Sequence, residues 1–239
     1  MSGPNPKLAV TGLNAAYGRA QVLYDIALSV GAGEAVALVG RNGAGKSTTL
    51  RSILGLVLNC DGEITLDGAP LSGLPTHQRV RRGVGYVPED RRIFSDLTVD
   101  ENLEVGRQSP RPGAPRWTRE RLFEIFPNLA ELRGRLGGRM SGGEQQMLAI
   151  ARTLMGSPSL VLLDEPSEGL APKIVEQMIE AILAMKREGL SLLLSEQNLR
   201  FARLIADRIC VIEKGRIRFV GNTAEFDARP EIRDAYLAL

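Results

Sequence analysis

Gly40-Arg41-Asn42-Gly43-Ala44-Gly45-Lys46-Ser47 has the spacing G-x-x-x-x-G-K-S. Glycines at such spacing let consecutive backbone N–H groups close around phosphate oxygens, and a helix that starts there points its positive end at them. Gly40, Asn42, Gly43, Gly45 and Thr48 form the expected phosphate-contacting set. Lys46 is expected to reach the β and γ phosphates of ATP, and the Ser47 hydroxyl to bind Mg²⁺. Further along, residues 159–165 read SLVLLDE: an apolar run that ends in Asp164 and Glu165. A carboxylate at the end of a buried strand beside a phosphate loop suits Mg²⁺, and the next one, Glu165, can polarise an attacking water. Met140-Ser141-Gly142-Gly143-Glu144 supplies another small-residue turn ahead of an apolar-periodic helix. That makes a second anion-ready helix start, at Ser141 and Gly143.

These groups need a scaffold. Short apolar runs at 34–39, 84–87, 160–163 and 190–194 read as buried strands, and a helix is expected from about 47 to 55. Strands alternating with helices predict an α/β fold with a largely parallel sheet. Residues 8–13, 63–66 and 208–220 read as strands of an antiparallel portion. Between 88 and 156 strand signals vanish and helical ones dominate, as in 119–126 and 144–155. That segment reads as a helical subdomain set into a core formed by 1–87 and 157–239. Residues 109–115, SPRPGAP, form a breaker-rich surface loop within it.

Composition narrows the classes. With 30 basic and 28 acidic residues the net charge is only +2, so nothing favours nucleic acid as a partner. Cys60 and Cys210 are far apart in sequence and read as buried small hydrophobes. A single histidine, His77, in a polar stretch, leaves no His-based metal cluster. The basic residues Arg79, Arg81, Arg82, Arg91 and Arg92 read as a solvated face, and Trp117 as packing. Residues 1–7 are polar with no apolar run behind them, and no stretch approaches the ~18 apolar residues of a membrane span. A soluble chain is expected, with any membrane role supplied by a partner.

With the phosphate loop, the Asp164-Glu165 pair and the SGGE turn in this order, the chain resembles the ATP-binding cassette (ABC) family along nearly its whole length. The resemblance implies a P-loop ABC-ATPase core with an antiparallel β portion and an inserted helical subdomain. It implies that Tyr17 stacks on adenine, and that Ser141 and Gly143 close on ATP held by another subunit. Three positions depart from the common ABC pattern. Glu89 stands for the Q-loop glutamine, Gln197 for the switch histidine and Ala171 for the D-loop aspartate. The strings VPEDRRIF, MSGGEQQMLAI, DEPSEGLAP and SEQN resemble the LivF type of branched-chain amino acid importer ATPase, in which Glu and Gln are usual there. Gln197 can bond a γ-phosphate or the attacking water but carries no charge. Glu89 adds negative charge near Mg²⁺, which either strengthens metal binding or repels the γ-phosphate.

The expectation is therefore MgATP hydrolysis that powers import of branched-chain or related amino acids, from the cytoplasmic face of the plasma membrane. Lys46, Glu165 and Gln197 are the catalytic candidates, and Ser47, Asp164 and Glu89 the metal candidates. The implied partners are a second ABC ATPase (a heterodimer, with a homodimer as the alternative), transmembrane permease subunits and, indirectly, a periplasmic solute-binding protein. Import of urea, amides or aromatic compounds, a non-transport ABC ATPase, and a regulatory module that holds ATP without turnover are the rival readings.

Overall fold

The computed structural model describes residues 6–236, so residues 1–5 of the polar amino-terminal stretch lie outside it. The chain opens with β1 (Leu8–Tyr17) and β2 (Ala20–Val30), then β3 (Ala35–Val39), α1 (Lys46–Leu54), β4 (Asn59–Leu66) and β5 (Ala69–Pro70). After α2 (Thr76–Arg81) and β6 (Val84–Val87) come α3 (Val99–Gly106), α4 (Arg119–Ile125), α5 (Pro127–Glu131), a 3-10 turn (Gly137–Arg139) and α6 (Gly142–Met155). The rest is β7 (Leu160–Asp164), α7 (Pro172–Arg187), β8 (Ser191–Glu196), α8 (Leu199–Ile205), β9 (Arg208–Glu213), β10 (Arg216–Asn222), α9 (Thr223–Asp227) and α10 (Pro230–Tyr236).

Two sheets result. One is antiparallel, in the order β2-β1-β4-β5. The other has six strands in the order β10-β9-β3-β8-β7-β6, and β9, β3, β8, β7 and β6 run parallel. β3 (AVALV) and β7 (LVLLD) are buried at every position, as strands covered on both faces must be. Alternate residues of each strand serve different cores. Ala35, Ala37, Val39, Val161, Leu163, Leu192 and Leu194 pack with the helices α3–α8. Val36, Leu38, Leu160, Leu162 and Leu193 pack with α1 and the antiparallel sheet. α1 therefore lies between the two sheets, its Leu50, Ile53 and Leu54 in the second core.

Several sequence expectations need correction. Residues 208–220 are not part of the antiparallel sheet. They form β9 and β10, a hairpin through Lys214 and Gly215 at φ 46° and 71°, and β9 joins the parallel sheet beside β3. The hairpin is a local feature, whereas the sheet it joins is decided by α8, which carries the chain back over β3. β2 and α7 are not among the elements expected from the sequence. Arg79 does not lie on a solvated face. It is buried, and its guanidinium donates to the carbonyls of Ser52 (2.9 Å), Ile53 (2.8 Å) and Leu74 (2.8 Å). A cation there satisfies the orphan carbonyls at the negative end of α1. Cys210 is buried, but Cys60 is only half-buried. Trp117 packs into the first core, just ahead of α4.

Candidate active site

The carboxyl ends of β3, β8, β7 and β6 lie side by side, so the loops leaving them converge at one edge of the sheet. That edge is where open parallel sheets hold ligands. The loop after β3 is the glycine-rich one. A side chain at Gly40 would collide with the Ile212 carbonyl oxygen, and Gly45, at φ 111°, adopts a conformation that favours glycine and passes close to Leu23. With Gly45 as N-cap, α1 begins at Lys46 and aims its free N–H groups into the loop.

Lys46 is buried. Its Nζ donates to the Gly40 carbonyl (2.8 Å) and the Arg41 carbonyl (3.1 Å), and pairs with Glu165 Oε1 at 2.9 Å. Ser47 Oγ donates to Asp164 Oδ1 at 2.8 Å. Asp164, wholly buried, accepts two more hydroxyls: Ser195 at 2.7 Å on Oδ1 and Tyr86 at 2.9 Å on Oδ2. Parallel register brings them together, since Asp164 faces Ser195 across β7 and β8, and Tyr86 lies on β6. Burial raises the Tyr86 hydroxyl well above its usual value, and the Asp164 charge adds to this, so it remains a donor.

Glu165 leaves the strand at φ 48°, a left-handed conformation uncommon for a side chain of this size. Two contacts hold it there: its N–H donates to the Ser195 carbonyl (3.2 Å) and to Ser195 Oγ (3.0 Å). Its Oε2 accepts the Gln197 N–H at 3.2 Å. Burial raises the Glu165 carboxyl above the ordinary range, and the Lys46 ammonium opposes the shift. A carboxylate so placed is a stronger base than a solvated one.

Lys46, Ser47, Thr48, Asn42, Gly43, Gly45, Glu89 and Glu165 surround one cavity of about 590 Å³. Val22, Arg51 and Glu168 complete its wall, none of them found by the sequence reading. Arg51 stands beside Tyr86, Asp164 and Tyr17, with Tyr86 the main cause of its raised pKa, so the exposed Tyr17 ring is at the cavity's side without lining it. Gln197 touches the site through its backbone, and its side chain is exposed. Ser141 and Gly143 lie apart, at the start of α6, and do not line this cavity. The exposed Ser141 caps α6 reciprocally with Glu144, and Gly143 is packed under Ile174.

The donor set suits a hard cation. A serine hydroxyl on the wall backed by a buried carboxylate offers only oxygen. Among the described residues no group of three or more His, Cys, Asp or Glu gathers to hold a metal by itself. A small protein share of the ligands is what Mg²⁺ shows when substrate phosphates and water complete its shell.

Residues 23–168 match the family model described as ABC transporter. The chain is 46% identical, over 92% of its length and 95% of the relative's, to the high-affinity branched-chain amino acid transport ATP-binding protein BraG of Pseudomonas aeruginosa. It is 34% identical, with 96% of each chain covered, to the lipopolysaccharide export system ATP-binding protein LptB of Haemophilus influenzae. A solved structure described as the ATP-binding subunit of an ABC transporter superposes with a TM-score of 0.79 at 31% identity, covering 96% of this chain and 95% of that one.

Proposed function

We propose that this chain, which belongs to the ABC transporter family as an ATP-hydrolysing, ATP-binding subunit, powers the uptake of branched-chain or related amino acids. The observation that carries the chemistry is Glu165, held at the cavity wall between Lys46 and Gln197. The 46% identity to BraG, against 34% to an export ATPase, carries the direction and solute class.

ATP phosphates lie against the N–H groups of residues 40–48, where the positive end of α1 faces them. They compete with Glu165 for Lys46. Once Lys46 turns to the phosphates, Glu165 Oε1 loses its partner and is free to accept a proton from the attacking water. Mg²⁺, held through Ser47 and Asp164, neutralises phosphate charge when bound. The three hydroxyls on Asp164 fix the direction of its oxygens, as supporting bonds do for metal ligands elsewhere. Glu89 lines the same cavity and would add negative charge to the metal's surroundings. Gln197 donates its backbone N–H to Glu165, and its exposed neutral side-chain amide would turn inward to donate to phosphate and orient water.

The remote Ser141 turn supports a shared site. A second ATPase subunit would present its own signature turn to this chain's phosphate loop, while Ser141 and Gly143 complete the partner's site. The departures at Glu89, Ala171 and Gln197 favour an unlike partner. Permease subunits supply the membrane passage, since among the described residues no helix is long and apolar enough to cross a membrane. The chain then works peripherally, on the cytoplasmic face. The α/β core and the helical segment 88–156 would move as the two units of this subunit.

The test is reconstitution with permease subunits and a partner ATPase, reading phosphate release and radiolabelled leucine uptake together. Wild type should couple the two, and Glu165→Gln should slow phosphate release by at least ~10²-fold and stop uptake. Hydrolysis at the wild-type rate in Glu165→Gln would remove Glu165 from the chemistry. Hydrolysis without leucine uptake would remove the solute class and leave the ATPase.

A further inference from the structure

We propose that Glu196 is a positioning residue of this site: its carboxylate ties the loop that follows Glu165 to the loop that carries Gln197, and so sets where Gln197 stands relative to Glu165. The inference rests on the hydrolytic reading given above. Glu196 ends β8 and is 1% exposed. One carboxylate oxygen accepts the Ser167 N–H at 3.0 Å and the other the Asn198 N–H at 3.2 Å. Ser167 lies two residues beyond Glu165, and Asn198 adjoins Gln197. The backbone carbonyl of Glu196 also accepts the Gly40 N–H at 3.4 Å, so one residue touches the phosphate loop and both flanking loops.

A packing role alone does not account for a carboxylate here. Among the described residues Glu196 forms no salt bridge, and a buried charge without a cation is unfavourable. Burial, with the nearby Glu165 charge adding to it, pushes the carboxyl up to about 7 against the Ser167 hydrogen bond. A neutral side chain would fill the space at lower cost. What it would lack is two acceptor oxygens on one rigid plane, facing two backbone donors on different loops. Glutamine offers one acceptor and would turn an NH₂ toward the second N–H. Aspartate keeps both oxygens but is a methylene short. Because the donors are backbone groups, the tie constrains the course of both loops rather than any one side chain. The Gln197 N–H to Glu165 Oε2 bond lies between the two tied points, and misplacement of about an ångström at such a bond is enough to slow a reaction tenfold or more.

The experiment compares Glu196→Gln and Glu196→Asp with wild type, as full chains with their partner subunits, in steady-state ATP turnover. Glu165→Gln runs in parallel. The expected result is a kcat lowered about tenfold in both variants with KM for ATP within about threefold. Glu196→Gln should melt no lower than wild type, so activity and stability part company, which a merely structural role would not produce. A kcat within about twofold of wild type in both variants, with Glu165→Gln inactive, overturns the positioning role and leaves the hydrolytic reading standing. Wild-type turnover in Glu165→Gln overturns both. Should either variant fail to fold, amide exchange of wild type decides: Ser167 and Asn198 should be protected, and exchange at free-loop rates would overturn the inference.

Discussion

Near neutral pH the Glu196 carboxyl stands in the middle of its titration, and this gives the residue scale a thermodynamic signature. Its folded value of about 7 lies above the ordinary 4.5, so between those values the folded chain holds a proton that the unfolded chain has released. Stability from this group therefore falls as pH rises through that window, reaching a penalty of roughly 3 kcal/mol above pH 7. Glu196→Gln removes the titration. Thermal unfolding of wild type and variant from pH 5 to pH 8 should show the variant gaining on wild type up to about pH 7 and the difference levelling off above it, and a constant difference throughout would mean that the carboxyl titrates normally. The same scale shows what a sequence can reveal. Lys46, Ser47, Asp164 and Glu165 were readable because consecutive residues create their chemistry. Ser195, Tyr86 and Arg51 were not, because they reach the site only through the register of β6, β7 and β8 and the course of α1. Arg79 looked like one more surface arginine until α1 ended against it.

At the scale of elements, helix starts mark the contrast between this chain and its family. α3, α6, α8 and α9 each begin with a side chain that accepts a first-turn N–H: Thr98, Ser141, Asn198 and Asn222. α7 begins with Ala171, which offers none, at the position where an aspartate is usual. Pro172 at the first helical position lacks an N–H of its own, but those that follow have no side-chain acceptor. Ala171→Asp should supply one and place negative charge at the positive end of α7. The expected gain is about 1 kcal/mol, or about 2–4 °C in Tm. No rise would mean that backbone carbonyls already satisfy this turn. Strands buried on both faces, β3, β6, β7 and β8, were readable as continuous apolar runs. β2 was not, because AQVLYDIALSV mixes polar and apolar residues, with only one face consistently buried. The hairpin of β9 and β10 was visible as strands, but its sheet was not, since that choice is made by contacts with β3 far away in sequence.

On the scale of the whole molecule, a parallel sheet gathers four loops at one edge, and two cores on its faces hold that edge rigid. On the hydrolytic reading proposed above, ATP takes Lys46 from Glu165 inside the cavity those loops enclose. Thermal unfolding with and without MgATP tests it most directly, for wild type and Lys46→Ala at the same nucleotide concentration. Removing Lys46 also leaves Glu165 without its cation, which lowers stability before any ligand is added, so the increment on adding MgATP is the quantity to compare. Wild type should gain about 2.7 kcal/mol at a hundredfold excess over Kd, and Lys46→Ala should lose most of that gain. An equal increment in both proteins would contradict the account, because the nucleotide would then be bound without the lysine on which the site is built.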